Sequence, residues 1–240
     1  MLFVSAGARH FYGIDLYQNP AIYNPLAYRT ALGLAYIDLD YRRRDPAEIF
    51  REEKGKAMLN PLYISYLNRS AHDTGLASAS VDFLYSMATL EHLDDPARSI
   101  EEWKRVLKPG GISAHHAALA DHRDFSKPYE YLKIEPEAWK AQFGPGKTYP
   151  ESEYINTWRA VDFLRAFRKA GFEVLHHEAG MPHPYFRDQK VYPTEPMSAV
   201  EWAQIAPSIR AGRTRAEVSQ IEFTVVVRKP GGKRARTTGP

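Results

Sequence analysis

Apolar residues recur along this chain with two different periods. Arg9 to Asp15 (RHFYGID) is a short, largely apolar run ending on an acid, as in a buried parallel strand whose carboxyl end carries a functional group. Leu62 to Leu67 (LYISYL) and Val81 to Ser86 (VDFLYS) have the β-branched and aromatic content of two further strands. After Asp94-Asp95-Pro96 the period lengthens. Asp95 is placed to cap a helix and Pro96 to open it. Ala97, Ile100, Trp103, Val106 and Leu107 then share one face, and Arg98, Glu101, Glu102 and Arg105 share the other. Pro109-Gly110-Gly111 ends that helix and turns into a strand over Ile112 to Ala117. Trp158, Val161, Leu164 and Phe167 predict a second amphipathic helix, closed by Gly171 and followed by a strand at Phe172 to His177. A shorter helix is expected around Ser198 to Gln204, and Ile221 to Val227 (IEFTVVV) reads as the last strand.

This alternation implies an α/β fold: a doubly wound, mostly parallel sheet with an antiparallel strand near one edge. The reading places one domain over residues 1–229, with insertions at about 17–56, 118–157 and 178–215. The first insertion is irregular apart from a helix near Pro46 to Glu53, and the second is broken by Pro128, Pro136, Pro145 and Pro150. Residues 230–240 read as a disordered basic tail.

Charge changes the picture only locally. The formal net charge is +3, yet Arg228, Lys229, Lys233, Arg234 and Arg236 stand together at the end, leaving the rest slightly acidic. That distribution argues against a nucleic-acid partner. Cysteine is absent, so disulfides and thiolate chemistry are excluded. No run approaches the ~18 apolar residues of a membrane span, and a cytoplasmic protein is the default expectation.

Residues Ser80 to Gly111 (SVDFLYSMATLEHLDDPARSIEEWKRVLKPGG) combine a strand containing an Asp, a Glu-His pair, a Pro-started helix and a Lys-Pro-Gly-Gly turn. In this they resemble the fourth- and fifth-strand region of class I, Rossmann-like S-adenosylmethionine-dependent methyltransferases. Tyr12-Gly13-Ile14-Asp15-Leu16 is similar to the second strand of that family, and Gly171-Phe172-Glu173-Val174 to the entry of its sixth. The resemblance implies S-adenosylmethionine as cofactor. It assigns Asp15 to the ribose hydroxyls, Leu16 to the adenine face, Asp73 to the adenine amino group, and Ser86 and Met87 to the methionine part. A strand-end carboxylate suits a diol because it offers two acceptor oxygens. The family's acidic, Gly-x-Gly cofactor loop should stand some twenty to thirty residues before Asp15, where Gly7 stands alone. The first strand and its glycine-rich loop are therefore expected to be missing.

At and past the carboxyl end of the Ile112 strand lie His115-His116 and Asp121-His122, facing the expected acceptor entrance. Strand alternation sends His115 and His116 to opposite faces, so only one can reach a pocket. His116 and His122 are the candidate bases, and no metal-ligand set is expected. Glu91 and His92 form a tempting acid–base pair but head toward a helix start, which favours an architectural role. The function implied is methyl transfer to an oxygen or nitrogen of a small-molecule or glycan-like acceptor. The alternative is a catalytically inactive, methyltransferase-like binding or scaffold subunit. A nicotinamide dehydrogenase would need Gly-x-Gly-x-x-Gly before Asp15.

Overall fold

The computed structural model describes Val4 and residues 7–16, 46–53, 56–147, 154–181 and 195–231. Contacts divide the chain into two compact units, residues 1–75 and 76–240. In the first, β1 (Phe11–Asp15) pairs in parallel with β4 (Ile64–Asn68), Asp15 lying opposite Asn68. The expected helix near Pro46 is cut short. Only α1 (Pro46–Ile49) is helical, and β2 (Phe50–Glu53) then pairs antiparallel with β3 (Lys56–Leu59). A close hairpin partner satisfies backbone groups that one isolated helical turn leaves open. Val4, Ile49 and Ile64 form this unit's small core, with Phe11, Leu59 and Tyr63 packed around them.

The second unit holds a four-stranded sheet in the order β5 (Val81–Met87), β6 (Leu107–Ala118), β8 (Glu222–Arg228) and β7 (Glu173–Gly180). β5 and β6 run parallel, and β8 runs antiparallel to both its neighbours. The antiparallel strand thus sits next to one edge, as the sequence pattern implies.

Between β5 and β6 runs α2 (Pro96–Val106), with Pro96 in its first turn and the Asp95 carboxylate accepting from the Arg98 N–H at 3.0 Å. Residues 108–111 bulge out before the regular pairing with β5 resumes at Ile112. The second amphipathic helix, α4 (Ala160–Lys169), ends where Gly171 takes φ +81°, a conformation a Cβ would strain. Trp103 of α2 and Phe167 of α4 close over the sheet, and Phe163 stacks on Phe223 of β8 at 5.9 Å.

Residues 118–157, which show no period, contain a 3-10 turn (Glu130–Lys133) and a helix, α3 (Pro136–Phe143). Their core is aromatic. Trp139 is buried and donates its indole N–H to the Ile155 carbonyl at 2.7 Å. Three short helices follow, α5 (Ala199–Gln204), α6 (Pro207–Arg210) and α7 (Arg215–Ser219); Ile205 just past α5, Ile209 of α6 and Val218 of α7 join the same cluster. α5 falls on the expected segment, with Ser198 as its cap. Residues 17–45, 182–194 and 232–240 lie outside the described residues, and with them much of two expected insertions and most of the tail.

Candidate active site

Of the expected cofactor residues, Asp15, Leu16 and Asp73 belong to the first unit, and Ser86 and Met87 to the second. Asp15 is the last residue of β1. The Asn68 side-chain amide donates to the Asp15 and Leu16 carbonyls at 3.2 and 2.5 Å, fixing the strand end. Leu16 is 54% exposed. A carboxylate at a strand terminus beside an open apolar surface fits a ribose and an adjoining base. Asp73 is exposed in the turn after β4, its N–H donating to the Ser70 carbonyl at 3.1 Å.

In the second unit, Met87 ends β5 and is well exposed. The Ser86 hydroxyl is hydrogen-bonded to His115 Nδ1 at 2.7 Å. His115 lies under the helices, its ring stacked on Trp103 at 4.6 Å and 5.3 Å from Phe167, with Nε2 hydrogen-bonded to the Ser113 hydroxyl. Burial pushes its pKa down to about 3, so this ring is neutral. The Ser86 hydroxyl is accordingly engaged on the helix-covered side of the sheet.

His116 takes the other face. Its Nε2 pairs with the Glu222 carboxylate at 2.8 Å in a half-exposed position. The hydrogen bond to Glu222 raises its pKa above the ordinary histidine value, with burial opposing. Beside it stands a second group of titratable side chains. Glu91, in a 3-10 turn at Leu90–His92, is fully buried, and its Oε1 accepts from the Ala118 N–H at 3.0 Å. Glu91 Oε2 has no hydrogen-bond partner, and burial pushes the carboxyl up to about 7.

His92 donates through Nδ1 to the Tyr154 carbonyl at 2.7 Å, and burial lowers its pKa. His122 packs edge-on against His92 at 4.9 Å, its Nε2 lying 3.3 Å from the Ala118 carbonyl. Asn156 fixes the turn, its amide donating to the Leu90 and Leu93 carbonyls at 2.8 and 3.0 Å while its N–H reaches the Glu91 carbonyl at 2.6 Å.

The carboxyl end of β6 thus brings the two expected bases, His116 and His122, to one region. It adds Glu91 and His92, which the sequence reading weighed and set aside as architectural, and Glu222, which it did not single out. Glu91 and His92 had a visible signal in their adjacency. Glu222 had none, because it depends on the antiparallel register that sets it opposite Ala118. The cluster combines imidazoles and carboxylates, side chains of the type used for general acid–base chemistry.

A family model described as a methyltransferase domain matches residues 22–114. The methyltransferase resemblance carried by residues 80–111 is borne out by that match. Among curated relatives, a ubiquinone biosynthesis O-methyltransferase of Cereibacter sphaeroides is 25% identical over 160 residues, 67% of this chain and 59% of that protein. Its counterpart in a second strain is 24% identical over 155 residues, 64% of this chain and 57% of its own. The chain spans less than two thirds of these relatives. Similar solved structures include the [4+2]-cyclase SpnF, with TM-score 0.46 and 20% identity over 96% of this chain and 71% of that one. A SAM-dependent methyltransferase from Methanosarcina mazei has TM-score 0.43 and 15% identity over 96% and 87%. No helix among the described residues is long and apolar enough to cross a membrane.

Proposed function

We propose that this protein is an S-adenosylmethionine-dependent methyltransferase acting on a hydroxyl oxygen, or a nitrogen, of a small-molecule or glycan-like acceptor. The observation that carries the reading is the His116–Glu222 pair at the carboxyl end of β6, a half-exposed imidazole held in orientation by a carboxylate. Methyl transfer to a hydroxyl requires loss of one proton, and an imidazole oriented by a carboxylate is suited to take it. The cofactor, when bound, supplies an electrophilic methyl group on a sulfonium. Within the first unit Asp15 would hold its ribose and Leu16 and Asp73 its adenine; within the second, Met87 is the residue offered to the methionine part, the Ser86 hydroxyl being engaged by His115. The relatives' names, ubiquinone biosynthesis O-methyltransferase, favour oxygen as the acceptor atom.

Calorimetric binding of S-adenosylhomocysteine tests the cofactor half. Asp15→Ala is expected to weaken it at least about tenfold, since hydrogen bonds to a charged group contribute about 1.5–3 kcal/mol. With a phenol and amine acceptor panel, His116→Gln should lower kcat at least about a hundredfold while KM changes little. Undetectable binding of S-adenosylhomocysteine by the parent protein would favour a binding or scaffold subunit instead. Full activity in His116→Gln would remove this histidine from proton transfer.

A further inference from the structure

We propose that Glu91, His92 and His122 form a binding site for one divalent transition-metal ion, of the kind that two imidazoles and a carboxylate favour, such as Zn²⁺ or Fe²⁺. One donor atom from each of the three side chains lies within 4.8 Å of the others. Donors sharing one ion at ~2.1 Å stand about 3–4 Å apart, so small side-chain rotations close the triangle.

An independent feature points the same way. Glu91 is fully buried, and its Oε1 is committed to the Ala118 N–H while Oε2 has no hydrogen-bond partner. A buried carboxylate oxygen without a partner is costly, and an ion on the open side of the His92–His122 pair would satisfy it.

The surroundings prepare the ligands. A carbonyl only accepts, so the contact to Tyr154 places the His92 proton on Nδ1 and leaves the Nε2 lone pair for a metal. Asn156 clamps the turn that carries Glu91 and His92 through three backbone contacts. His92 and His122 are only partly buried, so the site has an approach from solvent. Two nitrogens and one oxygen match borderline ions better than Mg²⁺ or Ca²⁺, which prefer all-oxygen shells. Three protein ligands leave at least one coordination position open. The site does not depend on the methyl-transfer reading, because none of its three residues is needed to hold S-adenosylmethionine.

The test is calorimetric titration of the full chain, stripped of metal, with Zn²⁺, accompanied by the visible absorption of Co²⁺ as a report of coordination number. One ion per chain is expected to bind with Kd of about 10 μM or below. Glu91→Gln keeps the acceptor for the Ala118 N–H, and His122→Phe keeps the ring packing. Each should weaken binding at least about tenfold, while His177→Ala, an exposed histidine on β7, should not. Zn²⁺ should also raise the melting temperature of the parent but not of Glu91→Gln. The proposal is overturned if no 1:1 saturation occurs below about 100 μM, or if both variants bind Zn²⁺ as tightly as the parent.

Discussion

Acid should weaken this protein through one identifiable ring. His115 is 1% exposed, stacked on Trp103 and hydrogen-bonded at both nitrogens, with its pKa pushed down to about 3. A histidine in the unfolded chain titrates near ~6.5, so between these values the unfolded chain takes up a proton that the folded one refuses. The stabilising contribution of neutral His115 is therefore complete above pH ~6.5 and is lost as pH falls from there toward 3. At pH 5.5, one unit below the unfolded value, the loss is on the order of 1 kcal/mol.

Glu91 acts with the opposite sign. Its carboxyl is pushed up to about 7, so its contribution is present at low pH and lost as pH rises through that value. The raw pH–stability curve therefore mixes slopes of both signs, to which the lowered His92 and the raised His116 also add. His115→Gln separates them, because an amide can still bond the Ser86 and Ser113 hydroxyls but does not titrate. Urea unfolding followed by tryptophan fluorescence at pH 7.5 and 5.5 gives the stability gap between parent and variant. That gap should move by on the order of 1 kcal/mol against the parent on acidification. A gap constant to within about 0.3 kcal/mol would refute the buried neutral imidazole.

Arg159 is fully buried, and its guanidinium donates to the Leu119 carbonyl and the Tyr131 hydroxyl, both at 2.7 Å, and to the Gln220 carbonyl. Arg159→Ala should cost about 3 kcal/mol in denaturant unfolding, because buried acceptors lose a charged donor and a cavity opens; an unchanged midpoint would mean these contacts are replaceable. Asp95→Ala should cost about 1 kcal/mol by removing the cap of α2, and Asp95→Ser should recover most of it. Equal melting temperatures for Asp95→Ala and the parent would show that the helix start does not rely on its cap.

Features encoded within a few residues were legible in the sequence. Asp95-Pro96 and Gly171 mark helix ends through local dihedral and hydrogen-bond requirements, and α2 and α4 appear where their apolar periods lie. Strand alternation separated His115 from His116 correctly, one under the helices and one toward Glu222. The hairpin at Phe50–Leu59 and helix α3 were not legible. The first relies on a pairing partner, and the second is eight residues long and buries only Trp139. The convergences at the site were hidden for a related reason. His116 meets Glu222 across an antiparallel register, and Glu91 meets His122 through a loop, neither of which leaves a local period.

The way the chain leaves β6 explains why site and scaffold are hard to separate there. Ala118, the last residue of the strand, gives its N–H to Glu91 and has its carbonyl beside His122 Nε2. One residue on, the Leu119 carbonyl accepts from both Tyr131 and Arg159. Backbone groups that a longer strand would pair are satisfied here by side chains, so the residues at the candidate site also fasten the chain to its neighbours. Glu91→Ala would remove an acceptor from a buried N–H together with a candidate metal ligand, and a loss of binding could not be assigned to either. Glu91→Gln retains the acceptor and changes only the charge and one donor atom. A loss of metal binding in that variant with an unchanged melting temperature of the metal-free protein therefore assigns the effect to the ligand role of the carboxylate, whereas a fall in both assigns it to the fastening of Ala118.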